Sequence, residues 1–118
     1  MSYQQVSIQD RTKKFAVRIV KACVWLEEES KVPRTLANQL LRSGTSIGAN
    51  CSEAQSAQSR RDFISKYEIA LKEARETKYW LEVLIEAQLV SSEKFKGLIQ
   101  ETEEIIKILV TTVKKLKE

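Results

Sequence analysis

Residues 60–88 read RRDFISKYEIALKEARETKYWLEVLIEAQ. Phe63, Tyr67, Ala70, Ala74, Thr77, Leu81 and Leu84 recur there at alternating spacings of four and three. At about 3.6 residues per turn such positions fall on one line, and a seam of this period packs against other helices at a shallow angle. Ser59 with Asp62 three residues later has the pattern of a capping box with the shorter acid. The stretch therefore predicts one long helix of a bundle, from Arg60 to Gln88.

The flanking sequence repeats the pattern. Upstream, Pro33 suits a helix start, where its missing N–H is no loss. Leu36, Leu40, Ile47, Cys51 and Ala54 then form a stripe running toward Ser59. Gly44 and Gly48 interrupt it one turn apart. Interior Gly is unfavourable by roughly 1 kcal/mol against Ala, so the pair predicts close approach by a neighbouring helix, helped by the small Ser43, Ser46, Ala49, Ser52 and Ala57. Further upstream, Phe15, Ile19, Ala22 and Leu26 mark a first helix, starting near Ser7 or Asp10 and ending near Ser30. Downstream, Leu89 to Ser92 is a turn, and Ser91 or Ser92 can cap a fourth helix. Phe95, Leu98, Thr102, Ile105, Leu109, Val113 and Leu116 form its inner stripe. Lys114, Lys115 and Lys117 crowd its C-terminus, where the helix dipole favours cations.

Short connections make consecutive helices antiparallel neighbours. The expected architecture is all-α, an up-down-up-down four-helix bundle formed by residues 1–118 as a single domain. Phe15, Ile19, Leu40, Ile47, Phe63, Ala70, Leu81, Leu98, Ile105 and Leu109 are its expected core. Composition agrees: 118 residues, 42% hydrophobic, with only 3 Gly and 1 Pro, leave little material for a turn-rich β fold.

Catalytic chemistry finds few candidates. The chain has no His, the commonest general base and zinc ligand. Cys23 and Cys51 sit in apolar helical patterns, as small hydrophobes do, which fits a reducing, cytoplasmic setting. No catalytic residue, cofactor or metal is expected, and no apolar run approaches the roughly 20 residues of a membrane span. Glu73 and Glu76 could pair as acid and base, but salt bridges along the helix with Lys72, Arg75 and Lys78 explain them better. The run SGTSIGAN lacks the Lys of a phosphate loop, and no strand leads into it. Arg42, Ser46, Asn50 and Glu53 lie along one side of the second helix, as an interhelical hydrogen-bond network or as a partner surface.

Two surface features point outward. Arg11, Lys14, Arg18 and Lys21 form a basic stripe on the first helix, extended by Trp25, and the net charge is +4. Cations beside an aromatic suit phosphate and base contacts; the plainer reading is a solvated face with Trp25 resting on the Lys21 stem. The first helix is also apolar over about 200° of its wheel, beyond the roughly 100° a bundle monomer needs. Val17, Val20 and Val24 belong to that excess, and Ile69, Trp80, Val83 and Ala87 form a second patch on the third helix. Val17, Val20, Val24, Trp80 and Val83 are the expected oligomer interface.

Residues 39–84, QLLRSGTSIGANCSEAQSAQSRRDFISKYEIALKEARETKYWLEVL, resemble the bacterial family of 23S rRNA intervening-sequence proteins, four-helix bundles related to the accessory variability protein of diversity-generating retroelements. Cys51 departs from the Ile or Leu usual in the family. The resemblance implies a left-handed bundle assembling as a homopentamer, with no enzymatic activity known for the intervening-sequence branch. Reading frames of that branch often lie within insertions in the 23S rRNA gene, which points toward RNA. In the retroelement branch the partners are a reverse transcriptase and nucleic acid; this chain is more similar to the first branch, so a reverse transcriptase is the less favoured partner.

The expectation is thus a non-enzymatic, oligomeric, rRNA-associated accessory protein that contacts RNA or DNA through Arg11, Lys14, Arg18 and Lys21. The alternative is a structural or protein-interaction module whose basic charge is incidental.

Overall fold

Over its described residues the chain forms four helices: α1 (Ile8–Glu29), α2 (Arg34–Ala54), α3 (Arg60–Glu86) and α4 (Ser92–Leu116). The computed structural model describes residues 6–29 and 31–118, and among these there is no strand. Ser30, where the sequence reading ends the first helix, lies outside the described residues.

Short polar side chains set most of the helix starts. Ser7 Oγ accepts from the Asp10 N–H at 3.1 Å, and Ser59 Oγ from the Asp62 N–H at 3.0 Å. Asp62 reaches back in turn, but to the N–H of Gln58, at 3.3 Å, a capping box shifted by one residue. Of the two candidates before α4, Ser91 is the cap, accepting from the Lys94 N–H at 3.2 Å. Among the described residues no side chain caps α2; the Pro33 carbonyl accepts from Leu36 and Ala37 instead.

One boundary differs from the sequence reading: α2 stops at Ala54 rather than running on toward Ser59. Residues 55–58 hold no large apolar side chain to bury, and packing of an apolar face is what sustains a helix. Ser59, moreover, is extended (φ −158°, ψ 165°) in order to cap α3.

The end of α3 is closed by a left-handed residue. Gln88 has φ 62°, its N–H bonds to the Ile85 carbonyl at 2.9 Å, and the Leu89 N–H bonds to the Leu84 carbonyl at 3.0 Å. This is the pair of bonds of a Schellman motif, whose left-handed position usually holds Gly. A side chain there is strained. Gln88→Gly is therefore expected to raise stability by about 0.5–1 kcal/mol in urea denaturation; an unchanged or lower midpoint would show that the turn carries no such strain.

Packing follows chain order. α1 lies on α2, α2 on α3 and α3 on α4, while α1 and α4 meet only lightly. The molecule measures 44 × 37 × 21 Å, and its least dimension equals about two helix diameters, so the bundle is a two-layer slab with an open α1–α4 seam. Phe15, Ile19, Leu26, Leu40, Ile47, Leu81, Leu84, Phe95, Ile105 and Leu109 are almost wholly buried. Of the core expected from sequence, Phe63 is the exception. It lies in the first turn of α3 and is half-buried, edge-on to Tyr67 with ring centroids 5.1 Å apart.

Gly44 and Gly48 mark the closest helix approach. A Cβ at Gly44 would stand 2.7 Å from the Ile19 side chain, and one at Gly48 would stand 3.0 Å from the Thr12 carbonyl oxygen. α1 therefore rests almost directly on the α2 backbone.

Candidate nucleic-acid interface

The line of Thr12, Phe15, Ile19, Cys23 and Leu26 turns one side of α1 into the core. That rotation carries the basic stripe to the flank bordering α4. Arg11 grips Glu101 of α4 with two parallel hydrogen bonds, Nε to Oε2 at 2.7 Å and Nη2 to Oε1 at 2.9 Å. Arg18 lies along α4, where a Cβ at Gly97 would stand 3.1 Å from its Nη2. Lys14 and Lys21 are exposed, and neither pairs with an acid among the described residues.

The stripe is thus not uniform: Arg11 is matched by an acid, Arg18 lies nearby, and the two lysines are free cations. Hydrogen bonding from Arg11, reinforced by the charges of Arg11 and Arg18, outweighs burial and holds the Glu101 carboxyl below the usual carboxylate range. The stabilising pair is therefore present above the ordinary carboxylate pKa and fades as pH falls through the lowered one.

The cation that the structure places over the Trp25 ring comes from α4. Lys94 of α4 places Nζ 4.4 Å from the centroid of the Trp25 ring, a cation–π contact. Lys94 thereby adds a positive charge from α4 beside the α1 stripe. One face of the indole is covered, and Trp25 is half-buried, so it offers less surface to a base than the sequence alone suggests.

The polar line on α2 resolves into one interhelical cluster and several local bonds. Arg42 bridges to α3, with Nη1 to Glu73 Oε2 at 2.9 Å and Nη2 to Glu76 Oε2. Glu76 also accepts from Trp80 Nε1 at 3.1 Å. Ser46 and Asn50 bond within α2, to the carbonyls of Arg42 and Ser46; Glu53 is exposed. Glu73 and Glu76 therefore pair across helices rather than with Lys72, Arg75 and Lys78, and Lys78 instead reaches Glu103 of α4 at 3.4 Å. The reason is burial: Glu73 is only 8% exposed, and Arg42 is the cation that reaches it.

Cys23 and Cys51 are buried and unpaired. Loss of solvation pushes each thiol up to about 11, so both stay protonated and unreactive at neutral pH. Among the described residues, no group of three or more Cys, Asp or Glu is placed to hold a metal, and no helix is long and apolar enough to cross a membrane.

The expected interface residues divide in two. Val17, Val20 and Val24 stand 48%, 44% and 48% exposed, one ridge along the outside of α1. Val20 and Val24 also border an open groove with Val32 and Leu41, floored by Cys23 and Ala37. On α3, Ile69 is exposed, while Trp80 and Val83 are half-buried.

Three residues that shape the basic flank escape sequence reasoning: Lys94, Gly97 and Glu101. Gly97 carried the one available signal, an interior helical Gly with no turn to serve. Glu101 lies 90 residues from Arg11, and no local pattern joins them.

The profile of the 23S rRNA-intervening sequence protein family matches residues 4–111. The chain is similar to a protein of unknown function from the S23 ribosomal protein family of Bacteroides thetaiotaomicron, known from a crystal structure at 1.70 Å resolution. The two are 47% identical, the match covers 92% of this chain and 99% of that one, and the TM-score is 0.87. A search of curated proteins finds no match.

Proposed function

The chain belongs to the 23S rRNA-intervening sequence protein family, and from that premise we propose that it acts without catalysis, as an oligomeric accessory protein that binds RNA or DNA through their phosphates. One observation carries the reading: Lys14, Arg18 and Lys21 line a single flank of α1 and are exposed. Lys94, on the adjoining flank of α4, extends it. The absence of catalysis is supported by the lack of His, by two protonated buried thiols, and by acids already engaged with Arg42.

Assembly supports the same reading. The Val17–Val20–Val24 ridge is suited to cover the Ile69–Trp80–Val83 patch of a second copy. Contacts between different faces are what close a ring, and the family resemblance supplies the number five. A ring repeats the basic flank and raises avidity without new contacts. The α1 ridge also favours the second reading, in which the protein binds another protein and its charge is incidental.

Fluorescence anisotropy with single- and double-stranded RNA and DNA, from low to physiological salt, tests the proposal. Affinity should fall steeply with salt as counterions are released, with little preference among sequences, since no helix presents base-reading side chains in a row. The double charge reversal Lys14→Glu with Arg18→Glu should weaken binding about tenfold or more and flatten the salt slope by about two per subunit. No binding at low salt, or binding indifferent to the reversal, favours the protein-interaction reading. A monomer in light scattering at micromolar concentration removes the ring.

A further inference from the structure

We propose that Glu101 is a built-in competitor for the nucleic-acid phosphate, holding the basic flank of α1 in a partly neutralised state. This rests on the nucleic-acid reading above and names what sets the strength of that site. Arg11 presents its Nε and Nη2 to the two Glu101 oxygens at 2.7 and 2.9 Å. The same planar fork binds carboxylate and phosphate, so the carboxylate stands where a phosphate of a bound strand would otherwise be gripped.

Gly97 strengthens the arrangement. It lies one turn before Glu101 on α4, and its missing side chain lets Arg18 lie within 3.1 Å of where a Cβ would be. Arg18 is thereby drawn toward α4 and toward the Glu101 charge, which it helps keep ionised. Both sides of the pair remain partly accessible, with side-chain exposures of 33% for Arg11 and 21% for Glu101. An incoming phosphate can therefore reach Arg11 by displacing the carboxylate into solvent. Lys14, on the same flank and without an acid, makes first contact, and Arg11 joins only when the phosphate wins the exchange.

The test uses the full chain and a fluorescein-labelled single-stranded RNA oligonucleotide, with circular dichroism to confirm each fold. Glu101→Gln should bind about threefold or more tighter at about 50 mM salt, with a salt slope steeper by about one per subunit. Glu82→Gln makes the same charge change at an exposed position of α3, outside the α1 and α4 residues that form the basic flank, and should leave affinity unchanged. Adding Arg11→Gln to Glu101→Gln should return affinity to the parent level, because the released group is then gone. Gly97→Ala, which keeps Glu101 but crowds Arg18 off α4, should tighten binding in the same direction and tests the idea should Glu101→Gln not fold. If Lys14→Glu with Arg18→Glu weakens binding while Glu101→Gln and Gly97→Ala bind like the parent, the competitor is refuted and the nucleic-acid reading stands. An equal gain from Glu82→Gln and Glu101→Gln also refutes it, by showing a net-charge effect alone. If the reversal changes nothing, both fall together.

Discussion

Gly48→Val should destabilise the protein by about 3 kcal/mol and lower its melting temperature by roughly 10 °C or more. The obstacle is backbone rather than side chain. A Cβ at Gly48 would meet the Thr12 carbonyl oxygen at 3.0 Å and its carbon at 3.1 Å, and neither can rotate away. α1 would have to lift off α2, loosening the contacts of Phe15 and Ile19, both essentially unexposed. Val adds two further methyl groups to that clash, and its stiff χ1 leaves few ways around it. Helix propensity works the other way, since Gly is the poorer helix former by roughly 1 kcal/mol against Ala. A loss on substitution therefore reports packing. Calorimetry decides: a melting temperature within two or three degrees of the parent would falsify the close approach of α1 and α2.

Arg42→Ala should cost about 2 kcal/mol. Removing one partner of a buried ion pair typically costs about 3–5 kcal/mol; the side chain of Arg42 is half exposed while that of Glu73 is 10% exposed, so solvent screening reduces the figure. The penalty comes chiefly from Glu73, left with a desolvated charge, and from repulsion by Glu76, which shared the guanidinium. Arg42→Lys should recover little, since an ammonium is a point charge and cannot fork between two carboxylates. Combining Arg42→Ala with Glu73→Gln should recover part of the loss, because the buried charge is then gone. Urea denaturation of Arg42→Ala, Arg42→Lys, Glu73→Gln and the Arg42→Ala/Glu73→Gln double variant forms the test. Strict additivity of the Arg42 and Glu73 effects would show that the two side chains are not coupled.

The parts of this fold legible in the sequence are those written in local periodicity. The alternating seam of α3 placed Tyr67, Ala70, Ala74, Thr77, Leu81 and Leu84 in the core, where they are. Ser59 and a Ser before α4 were readable as caps because capping chemistry spans three residues. Gly44 and Gly48 announced a helix contact because interior Gly is unfavourable without one. The end of α2 was less legible: small residues after Ala54 are compatible with a helix, and only the lack of something to bury ends it. The half-exposure of Phe63 was illegible for a similar reason, since periodicity gives a direction but not whether another element covers it. Ion-pair partners were the hardest to see. Arg42 and Arg11 have long, flexible arms, and their acids lie 31 and 90 residues away, so face assignment alone cannot choose among the charges across the gap. The basic flank was visible as four cations, while its partial neutralisation by Glu101 was not.

The order in which the helices lean on one another bears on how the chain reaches this state. The helices are buried mainly against their neighbours in chain order, across short connections that include residues 31–33, 55–59 and 87–91. Closing loops this short requires little ordering of chain, and folds dominated by such near-neighbour contacts cross their folding barrier in microseconds to milliseconds. The light α1–α4 seam means that the rate-limiting step need not wait for the two ends of the chain to meet. During synthesis, α1 and α2 can dock as a hairpin before α3 leaves the ribosome, each later helix adding to a surface already formed.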